Sequence, residues 1–492
     1  MKRSSLRALA AAIALTAPWV LVWTARTGLP AVLGVLTPGV AYQPPASAAA
    51  IPTGAVVVVS GTAVLGASFL LAWAAETAEK DVPRAFAIAV LAVLAVAPEY
   101  AVDALYAFNA GAGGATADAC AQFTAAELDR IAGLPQSAID TPEERLARSC
   151  HDANLAVANM TGANRILIGI GWAGIALFTV YRAASEYDPA VTERTGFLTN
   201  AVSLDRSIGL EVVFLLAATV WAFLVPLGGG IDALDLFVLV GIYVCYILVI
   251  LRGDVDADHD HIGVPAYLQG FRKPRRIAVV VGLFVYSGLL IFIAVEPFAH
   301  GLEELGKAAG VPPFFMIQWI APLASESPEL IVVIYLVNKA RSTAGFNALI
   351  SSKLNQWTLL IGTLVVVYSL ALGRYGALPF DAKQSAEIWL TAAQSLFAIS
   401  VLIDFEISVR EAIVLLTLFC SQVGLEFLII RGLGFPLSPY ELLIAYSGLY
   451  VVLAIWLFAT RFRAVRLLVR ETGGTLRSAA FPDRDGSPGS DD

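Results

Sequence analysis

Long apolar runs constrain this chain more than any other feature of its sequence. Twelve stretches of about 18 residues or more carry almost no charge. Within a bilayer the backbone must hydrogen-bond to itself, so runs of this length predict transmembrane helices. Of the 492 residues 15% are charged, against about 25% in soluble domains. The sequence therefore predicts an all-α polytopic membrane protein with about 10–12 transmembrane helices.

The predicted spans form two halves. The first half has Leu6–Ala25, Gly54–Ala75, Arg84–Phe108, Ala153–Tyr181, Ile208–Leu227 and Leu234–Leu251. The second half has Ile277–Ala299, Pro312–Val337, Thr343–Leu372, Ile388–Ile403, Ala412–Ile430 and Tyr440–Thr460.

The predicted segments are an N-terminal hydrophobic segment and loop (1–53), a first transmembrane half (54–251) with a polar loop (109–152), a cytoplasmic linker (252–276), a second half (277–460) and a tail (461–492). The first apolar run is either a retained helix, which we favour, or a signal peptide with Ala48–Ala50 as its cleavage region.

Lysine and arginine residues predict the orientation. One set of alternate loops holds Lys2, Arg3, Arg7, Lys80, Arg84, Arg182, Arg206, Arg272–Arg276, Lys339, Arg341, Arg410 and Arg461–Arg470. The opposite loops hold fewer, among them Arg26, Lys307, Arg374, Lys383 and Arg431. By the positive-inside rule the rich side is cytoplasmic, which predicts a multi-pass protein of the plasma (inner) membrane with a cytoplasmic C-terminus.

The polar loop 109–152 then faces outside, and it contains two of the four cysteines, Cys120 and Cys150. In an oxidising compartment these two can form a disulfide. Two free thiols are the alternative.

Four carboxylates in and beside two Pro-Glu pairs lie inside predicted spans, where ionisable residues are costly and indicate function. Glu99 ends a Pro-Glu pair in LAVLAVAPEYAVDALYAF, and Glu329 ends another in IAPLASESPELIVVIYLV. Asp103 follows Glu99 by four residues and Glu326 precedes Glu329 by three, so each pair shares a helix face. The prolines remove backbone hydrogen bonds and open the helices beside the carboxylates.

The two halves repeat a pattern. Each Pro-Glu helix is followed by one rich in small and amide residues, NLAVANMTGANRILIGIG from Asn154 and NALISSKLNQWTLLIG from Asn347. Under the predicted topology the two Pro-Glu helices cross the membrane in opposite directions. Inverted repeats are typical of transporters whose ion site lies at mid-membrane between the repeats. The repeats cover about Val90–Gly171 and Gln318–Gly362.

On these residues the chain resembles the cation/calcium exchanger superfamily, to which the sodium/calcium exchangers belong. SESPEL with NALISSKLNQ, and APEY with ANMTGAN, carry the resemblance. It implies a ten-helix exchanger core with flanking segments, which exchanges Ca²⁺ for Na⁺ or H⁺ by alternating access and is no enzyme. It also implies that Glu99 and Glu329 are the central cation ligands, with Ser325, Ser352 and Gln356 on the polar positions of the second repeat.

Other side chains complete the candidate site. Ca²⁺ takes six to eight oxygen ligands, including carboxylates. Further candidates with oxygen atoms are Glu326, Asp103, Asn355, Asn159 and Asn164. Asp103 is either a fourth carboxylate ligand or a proton-carrying neighbour. Asn159 and Asn164 are as well suited to bridging helices as to touching an ion.

The chain departs from the family pattern in both repeats. In the first repeat, residues without hydroxyls stand where hydroxyls are usual: Ala95, Val96, Ala97 and Ala163. In the second, Glu326 replaces a hydroxyl and Lys353 replaces an asparagine. Lys353 is a candidate charge partner that could pair with Glu326 and leave Glu99 and Glu329 for the ion.

Three alternatives to Ca²⁺/Na⁺ exchange stay open. A proton-coupled or monovalent-cation exchanger is favoured by the excess carboxylate and the missing hydroxyls. A degenerate, non-transporting relative is the second. An intramembrane aspartyl-type hydrolase is the third, but it needs two acids that share a proton at a water-accessible cleft, which fits these residues less well than an ion site.

The acidic linker segment Asp254–His261 is similar to a metal-binding loop. It has His259 where an EF-hand requires glycine, so a solvated linker is favoured over a weak regulatory cation site. We expect no cofactor beyond the transported cations. The expected partners are the lipid bilayer and inorganic cations but not nucleic acid, and the sequence leaves the oligomeric state open.

Overall fold

The computed structural model describes residues 2–25, 51–132, 141–185, 187–251, 263–309, 316–432 and 436–480. Within these ranges 10 helices are long and apolar enough to cross a membrane, and the number is 12 if each of two bent pairs is one span. The prediction of an all-α polytopic membrane protein is confirmed.

The helices follow the order of the predicted spans. In the first half they are α1 (Lys2–Trp23), α2 (Thr53–Ala78), α3 (Arg84–Ala112), α4 (Ala117–Cys120), α5 (Ala125–Ala132), α6 (Pro142–Ile166), α7 (Ala173–Ala183), α8 (Gly209–Ala222) and α9 (Ala233–Ile250). In the second half they are α10 (Val264–Gln269), α11 (Lys273–Ala308), α12 (Ala321–Ser325), α13 (Ser327–Asn338), α14 (Ser342–Asn355), α15 (Ile361–Leu372), α16 (Ala382–Leu402), α17 (Val409–Ile430), α18 (Pro439–Thr460) and α19 (Phe462–Ala480).

Five short strands connect the loops: β1 (Val191–Thr192), β2 (Ala201–Ser203), β3 (Gly230–Ile231), β4 (Leu378–Pro379) and β5 (Glu406–Ser408). They form two antiparallel sheets, β1-β2-β5 and β3-β4. Val202 pairs with Ile407, and Ile231 pairs with Leu378. Each sheet therefore joins a loop of the first half to a loop of the second.

Helix α6 begins at Pro142, inside the segment that the sequence suggested as a polar loop. A capping box explains this start, because Thr141 Oγ1 accepts from the Glu144 amide and the Glu144 carboxylate accepts from the Thr141 amide. Pro142 occupies the first helical position, where a missing N–H costs nothing. Since α4 and α5 also lie between 109 and 152, much of this polar segment is helical.

Both repeats contain a bent helix followed by a long one. The first bent helix is α3, which turns by 52° between Phe86–Leu94 and Glu99–Ala112. The second turns by 53° between Gln318–Ser325 and Ser327–Asn338. The long helices α6–α7 and α14–α15 each contain a π-helical turn, Leu167–Trp172 and Gln356–Leu360. Such turns are frequent at functional sites.

The break between α12 and α13 is stabilised locally. Pro328 has no N–H, so the carbonyl of Ala324 four residues earlier loses its helical partner. The Ser327 hydroxyl donates to that carbonyl at 2.7 Å. The side chain thus adds a second donor to a carbonyl that also accepts a backbone N–H at the end of α12.

Polar contacts join the basic loops at one end of the molecule. Arg341, between α13 and α14, binds the carboxylates of Glu76, in the last turn of α2, and of Glu79, directly after it. Arg461 donates to the Val401 carbonyl at 2.6 Å and to Asp404 at 3.1 Å. Loops that the charge count assigned to one side of the membrane therefore lie next to each other.

Asp81 and Arg276 belong to the same end. Arg276 donates to both carboxylate oxygens of Asp81, at 2.7 and 2.6 Å. These hydrogen bonds hold the pKa of Asp81 below its ordinary value.

The opposite end contains the disulfide. Cys120 in α4 is bonded to Cys150 in α6, 30 residues later, which is the pairing that the sequence allowed. Nearby, Asn154 donates to the Asp381 carboxylate and accepts from the Asp381 amide, each at 3.0 Å. These contacts fix α6 and α16 relative to each other.

A close helix approach positions the broken helix. A Cβ on Gly162 of α6 would lie 2.5 Å from the carbonyl oxygen of Gln318. Only glycine permits this contact without a shift of the backbone. The acidic linker segment Asp254–His261, the region Ala48–Ala50 and the end of the tail beyond 480 lie outside the described residues.

Candidate cation-binding site

Four buried carboxylates occupy the two bent helices. Glu99 and Asp103 lie in α3 after its bend, and their exposed fractions are 1% and 0%. Glu326 lies at the break between α12 and α13, Glu329 lies in the first turn of α13, and their exposed fractions are 2% and 1%. Each repeat therefore contributes two acids where its helix direction changes.

Gln356 links the carboxylates of the two repeats. Its Nε2 donates to Glu99 Oε2 at 2.9 Å and to Glu326 Oε1 at 2.6 Å. Gln356 is the first residue of the π-helical turn after α14 and is fully buried. Glu326 in turn interacts with the carboxyls of both Glu99 and Glu329, so three acids and one amide form a single cluster.

Two further donors hold the remaining carboxylates. Ser352 Oγ donates to Glu329 Oε2 at 2.6 Å. Asn159 Nδ2 in α6 donates to Asp103 Oδ1 at 2.9 Å. The first bond joins the bent and long helices of the second repeat, and the other does the same in the first.

Three of the predicted ligands have other partners. Asn355 Oδ1 accepts from the Tyr100 hydroxyl at 2.7 Å. The Ser325 hydroxyl donates to the Pro322 carbonyl at 3.0 Å. Asn164 Nδ2 donates to the Met160 carbonyl at 2.8 Å within its own helix.

Lys353, the candidate charge partner of Glu326, forms no direct ion pair with it in the described part of the chain. Among the described residues Lys353 makes no ion pair; its Nζ donates to Asn164 Oδ1 at 3.0 Å and to the Asn164 carbonyl at 3.3 Å. It also lies 4.8 Å from the centroid of the Trp357 ring. The reason is helix phase, because consecutive residues point about 100° apart, and Ser352 already faces Glu329. Lys353 stays within electrostatic range of Glu326.

Five oxygen atoms of the cluster lack a hydrogen-bond partner in the part of the chain that the structure describes. They are Glu99 Oε1, Asp103 Oδ2, Glu326 Oε2, Glu329 Oε1 and Gln356 Oε1. Leaving one such buried acceptor unpaired costs about 1–3 kcal/mol. Within the same described ranges no three Asp, Glu, His or Cys side chains form a ready metal cluster. The oxygens suit a hard cation in type, but in the geometry described they do not yet converge on one metal position.

Sequence reasoning missed a second buried polar network beside this cluster. Arg165 Nη2 in α6 lies 2.5 Å from Glu387 Oε2 in α16, and both side chains are 1% exposed. Gln318 Nε2 donates to Glu387 Oε1 at 2.9 Å. Arg165 Nη1 donates to Gln422 Oε1 at 3.4 Å, and Gln422 Nε2 donates to Glu426 at 2.9 Å.

These residues carried a signal in the sequence. Arg165 and Glu426 lie inside predicted spans, as does Glu211 of α8, and Glu387 lies one residue before another. Ionisable residues at membrane depth indicate function wherever they occur, yet only those of the repeat motif entered the prediction.

Comparisons with known proteins point to cation transport as well. A family model for the sodium/calcium exchanger protein matches residues 145–252 and 279–428, a little over half of the chain. The crystal structure of the H⁺/Ca²⁺ exchanger CAX is similar at 38% identity with a TM-score of 0.67, and the match covers 94% of this chain and 97% of that chain.

A structure of the sodium-calcium exchanger NCX_Mj is similar at 13% identity with a TM-score of 0.49, and the match covers 76% of this chain and 98% of that chain. No curated protein matches the sequence.

Proposed function

The chain belongs to the sodium/calcium exchanger family, and we propose that it is a secondary-active antiporter that exchanges Ca²⁺ for protons. The 38% identity to the H⁺/Ca²⁺ exchanger CAX, over nearly the full length of both chains, supports this choice. Ca²⁺ and protons are cargo here. No bound cofactor is needed for such transport.

One observation carries the proposal. Glu99, Asp103, Glu326 and Glu329 are buried together, and each keeps one carboxylate oxygen without a partner among the described residues. Hard divalent cations bind through such oxygens. Lys353, the cation nearest to them, is bonded to Asn164 instead, so the acids have spare negative charge for cargo.

The missing hydroxyls favour protons over Na⁺ as the counter-ion. Val96 and Ala97 precede the Pro-Glu pair of the first repeat, where the family has hydroxyls. Each Na⁺ would need its own set of oxygen ligands, whereas protons need only the carboxylates themselves. Because adjacent carboxylates cannot all stay ionised at low dielectric, Ca²⁺ and protons would compete for the same oxygens.

Gln356 can take part in the replacement of Ca²⁺ by protons at the carboxylates. In the form described, its amide donates to Glu99 and Glu326. A Ca²⁺ ion that reaches both carboxylates would displace the donor, and a half rotation of the amide would turn Oε1 towards the ion. Protonation of the acids would expel the ion again. Alternation of the two loads across the membrane is the basis of antiport.

We propose that this protein resides in the plasma (inner) membrane. The basic loops and the C-terminus then face the cytoplasm. The excess of lysine and arginine supports this orientation. The Cys120–Cys150 disulfide at the opposite end also supports it, because disulfides persist in oxidising compartments.

Transport into proteoliposomes tests the proposal. Purified protein would be reconstituted with a pH-sensitive dye inside, and uptake of radioactive Ca²⁺ would be followed under an outward proton gradient or an outward Na⁺ gradient. Glu329→Gln removes a central carboxylate. Glu193→Gln is the matched control, since Glu193 is exposed in the loop between α7 and α8.

The proposal expects Ca²⁺ uptake under the proton gradient, with loss of internal acidity, in the wild type and the Glu193 variant. Glu329→Gln should reduce the rate at least about 100-fold, because the loss of one hydrogen-bonded buried ligand is worth about 3 kcal/mol. Uptake driven by Na⁺ at clamped pH would reassign the counter-ion. The absence of Ca²⁺ flux under both gradients would refute Ca²⁺ antiport.

A further inference from the structure

One buried carboxyl, that of Glu211, lies outside the cluster and outside the second polar network. Glu211 is in the first turn of α8 and is 1% exposed. Helix α8 packs against α9, α14, α16 and α19. None of the functional residues considered above contacts the Glu211 carboxyl in the described part of the chain.

The Glu211 carboxyl is surrounded by neutral polar groups. The Tyr246 hydroxyl in α9 donates to Glu211 Oε1 at 3.3 Å, and it lies 3.4 Å from Ser351 Oγ in α14. The side chain of Asn347, one turn before Ser351, also contacts the carboxyl. These groups fix the position of Glu211 but supply no charge.

Charged groups on the neighbouring elements lie elsewhere. Tyr246 is the titratable group that faces Glu211, with Tyr243 next to it at a ring-centroid distance of 6.0 Å. A Cβ on Gly209 would meet the apolar Leu468 of α19 at 3.0 Å. Lys353 of α14 donates to Asn164 of α6, and Arg206 before α8 is exposed.

Helix α16 brings its charges to the other end of α8. Trp389 of α16 donates to the carbonyl of Phe223 at 3.2 Å, which places the neighbouring Glu387 and Lys383 near the C-terminus of α8. Glu211 is twelve residues earlier, about 18 Å along the helix. Among the described residues, therefore, no cationic side chain balances an ionised Glu211.

This group contains two buried acceptor atoms that lack hydrogen-bond donors. Glu211 Oε2 and Asn347 Oδ1 are both buried, and neither has a hydrogen-bond partner among the residues described. An isolated charge at membrane depth is costly, and so is an unpaired buried acceptor. A proton on Oε2 would remove the charge and turn this oxygen from an unpaired acceptor into a hydrogen-bond donor.

We infer that Glu211 is a second proton-binding site, separate from the central carboxylates. Tyr246 and Ser351 connect it to the central site, because Ser351 precedes Ser352, whose hydroxyl donates to Glu329. A displacement of α14 changes the surroundings of both sites together. The role of Glu211 in transport rests on the proposed proton coupling, but its protonation does not.

Infrared spectroscopy of the purified full-length protein tests the inference. Protonated carboxyl groups have a C=O stretching band that carboxylates and amides lack. In the cation-free protein at neutral pH, Glu211→Gln should lose the intensity of one such group relative to the wild type. Glu193→Gln serves as the control, since an exposed carboxyl is ionised at this pH and its spectrum should not change.

Tyr246→Phe tests the same site with the carboxyl retained, which covers the case in which Glu211→Gln does not fold. Removal of one hydrogen-bond donor should displace the Glu211 band in frequency without removing it. Unchanged carboxyl bands in both variants would overturn the inference. A band that disappears when Na⁺ is added at constant pH would also overturn it, since the site would then take a monovalent cation.

A transport measurement separates this inference from the proposed function. In proteoliposomes that exchange Ca²⁺ for protons, Glu211→Gln should lower the number of protons moved per Ca²⁺, whereas Glu193→Gln should leave it unchanged. If no proton exchange is found at all, the proposed function fails, and the infrared bands still decide whether Glu211 holds a proton.

Discussion

The Arg165–Glu387 ion pair yields a prediction whose size follows from its burial. Both side chains are 1% exposed and their charged atoms are 2.5 Å apart. The guanidinium lies 4.7 Å from the centroid of the Trp319 ring, and Gln318 donates to the carboxylate. The pair is therefore fully desolvated and held from three helices.

The perturbation is a double-mutant cycle of Arg165→Met and Glu387→Gln. Glu387→Gln keeps the shape and the acceptor for Gln318 but leaves the guanidinium without a counter-charge. Arg165→Met leaves the carboxylate unpaired. Removal of one partner from a buried pair costs about 3–5 kcal/mol. The double variant removes both charges of the pair, so its stability should lie within about 2 kcal/mol of the wild type.

The assay is equilibrium unfolding of the four proteins in mixed micelles, followed by circular dichroism. The expected order is unusual, because each single variant should be less stable than the double variant. The coupling free energy should be at least about 3 kcal/mol, well above the deviations of about 0.3–0.5 kcal/mol that independent sites show.

Additive losses would refute the reasoning. If the double variant were destabilised by the sum of the single effects, about 6–10 kcal/mol, the two side chains would act through packing alone. Single effects below about 1 kcal/mol would place the pair in contact with water, as for surface ion pairs.

Two further predictions concern single contacts. Because Arg276 holds the pKa of Asp81 below its ordinary value, this contact stabilises the fold above the unfolded pKa of about 4 and is lost as pH falls through the folded value. Asp81→Asn should therefore lower the thermal midpoint at neutral pH and converge with the wild type in acid; parallel curves would contradict this. Ser327→Ala removes the side-chain donor to the Ala324 carbonyl at the break and should cost about 0.5–1.5 kcal/mol in unfolding experiments, whereas Ser60→Ala, whose hydroxyl accompanies an intact helical bond, should cost less. Equal effects would argue against a special role of the break.

The membrane helices were predictable because a bilayer excludes most other structures. The acids Glu99 and Glu329 were predictable for a related reason, since charged residues stand out in apolar runs. The bends beside them followed from proline chemistry. These inferences needed only the covalent sequence and the solvent.

The contacts of the site were not predictable to the same degree. Gln356 reaches Glu99 across the repeats because a π-helical turn begins at that residue, and no apolar periodicity reveals such a turn. The contacts of Lys353 have the same origin, since the rotation of α14 decides that Ser352 faces the acids and Lys353 faces α6. The start of helix α6 at Pro142 had a signal in the sequence, the capping residues Thr141 and Glu144. The polar composition around them indicated a loop instead.

The position of Gln356 has a consequence for leakage. One NH₂ group donates a hydrogen bond to an acid from each repeat. Its release therefore requires that both acids lose their need for this donor. If only Glu99 is neutralised, the amide is still bound to Glu326, and the reverse also holds. We expect the link that Gln356 makes between the repeats to break only when both acids bind a cation or a proton instead. A transporter with such a link would seldom change its orientation with only one of the two acids occupied. Ions would therefore seldom flow down one gradient without driving transport against the other.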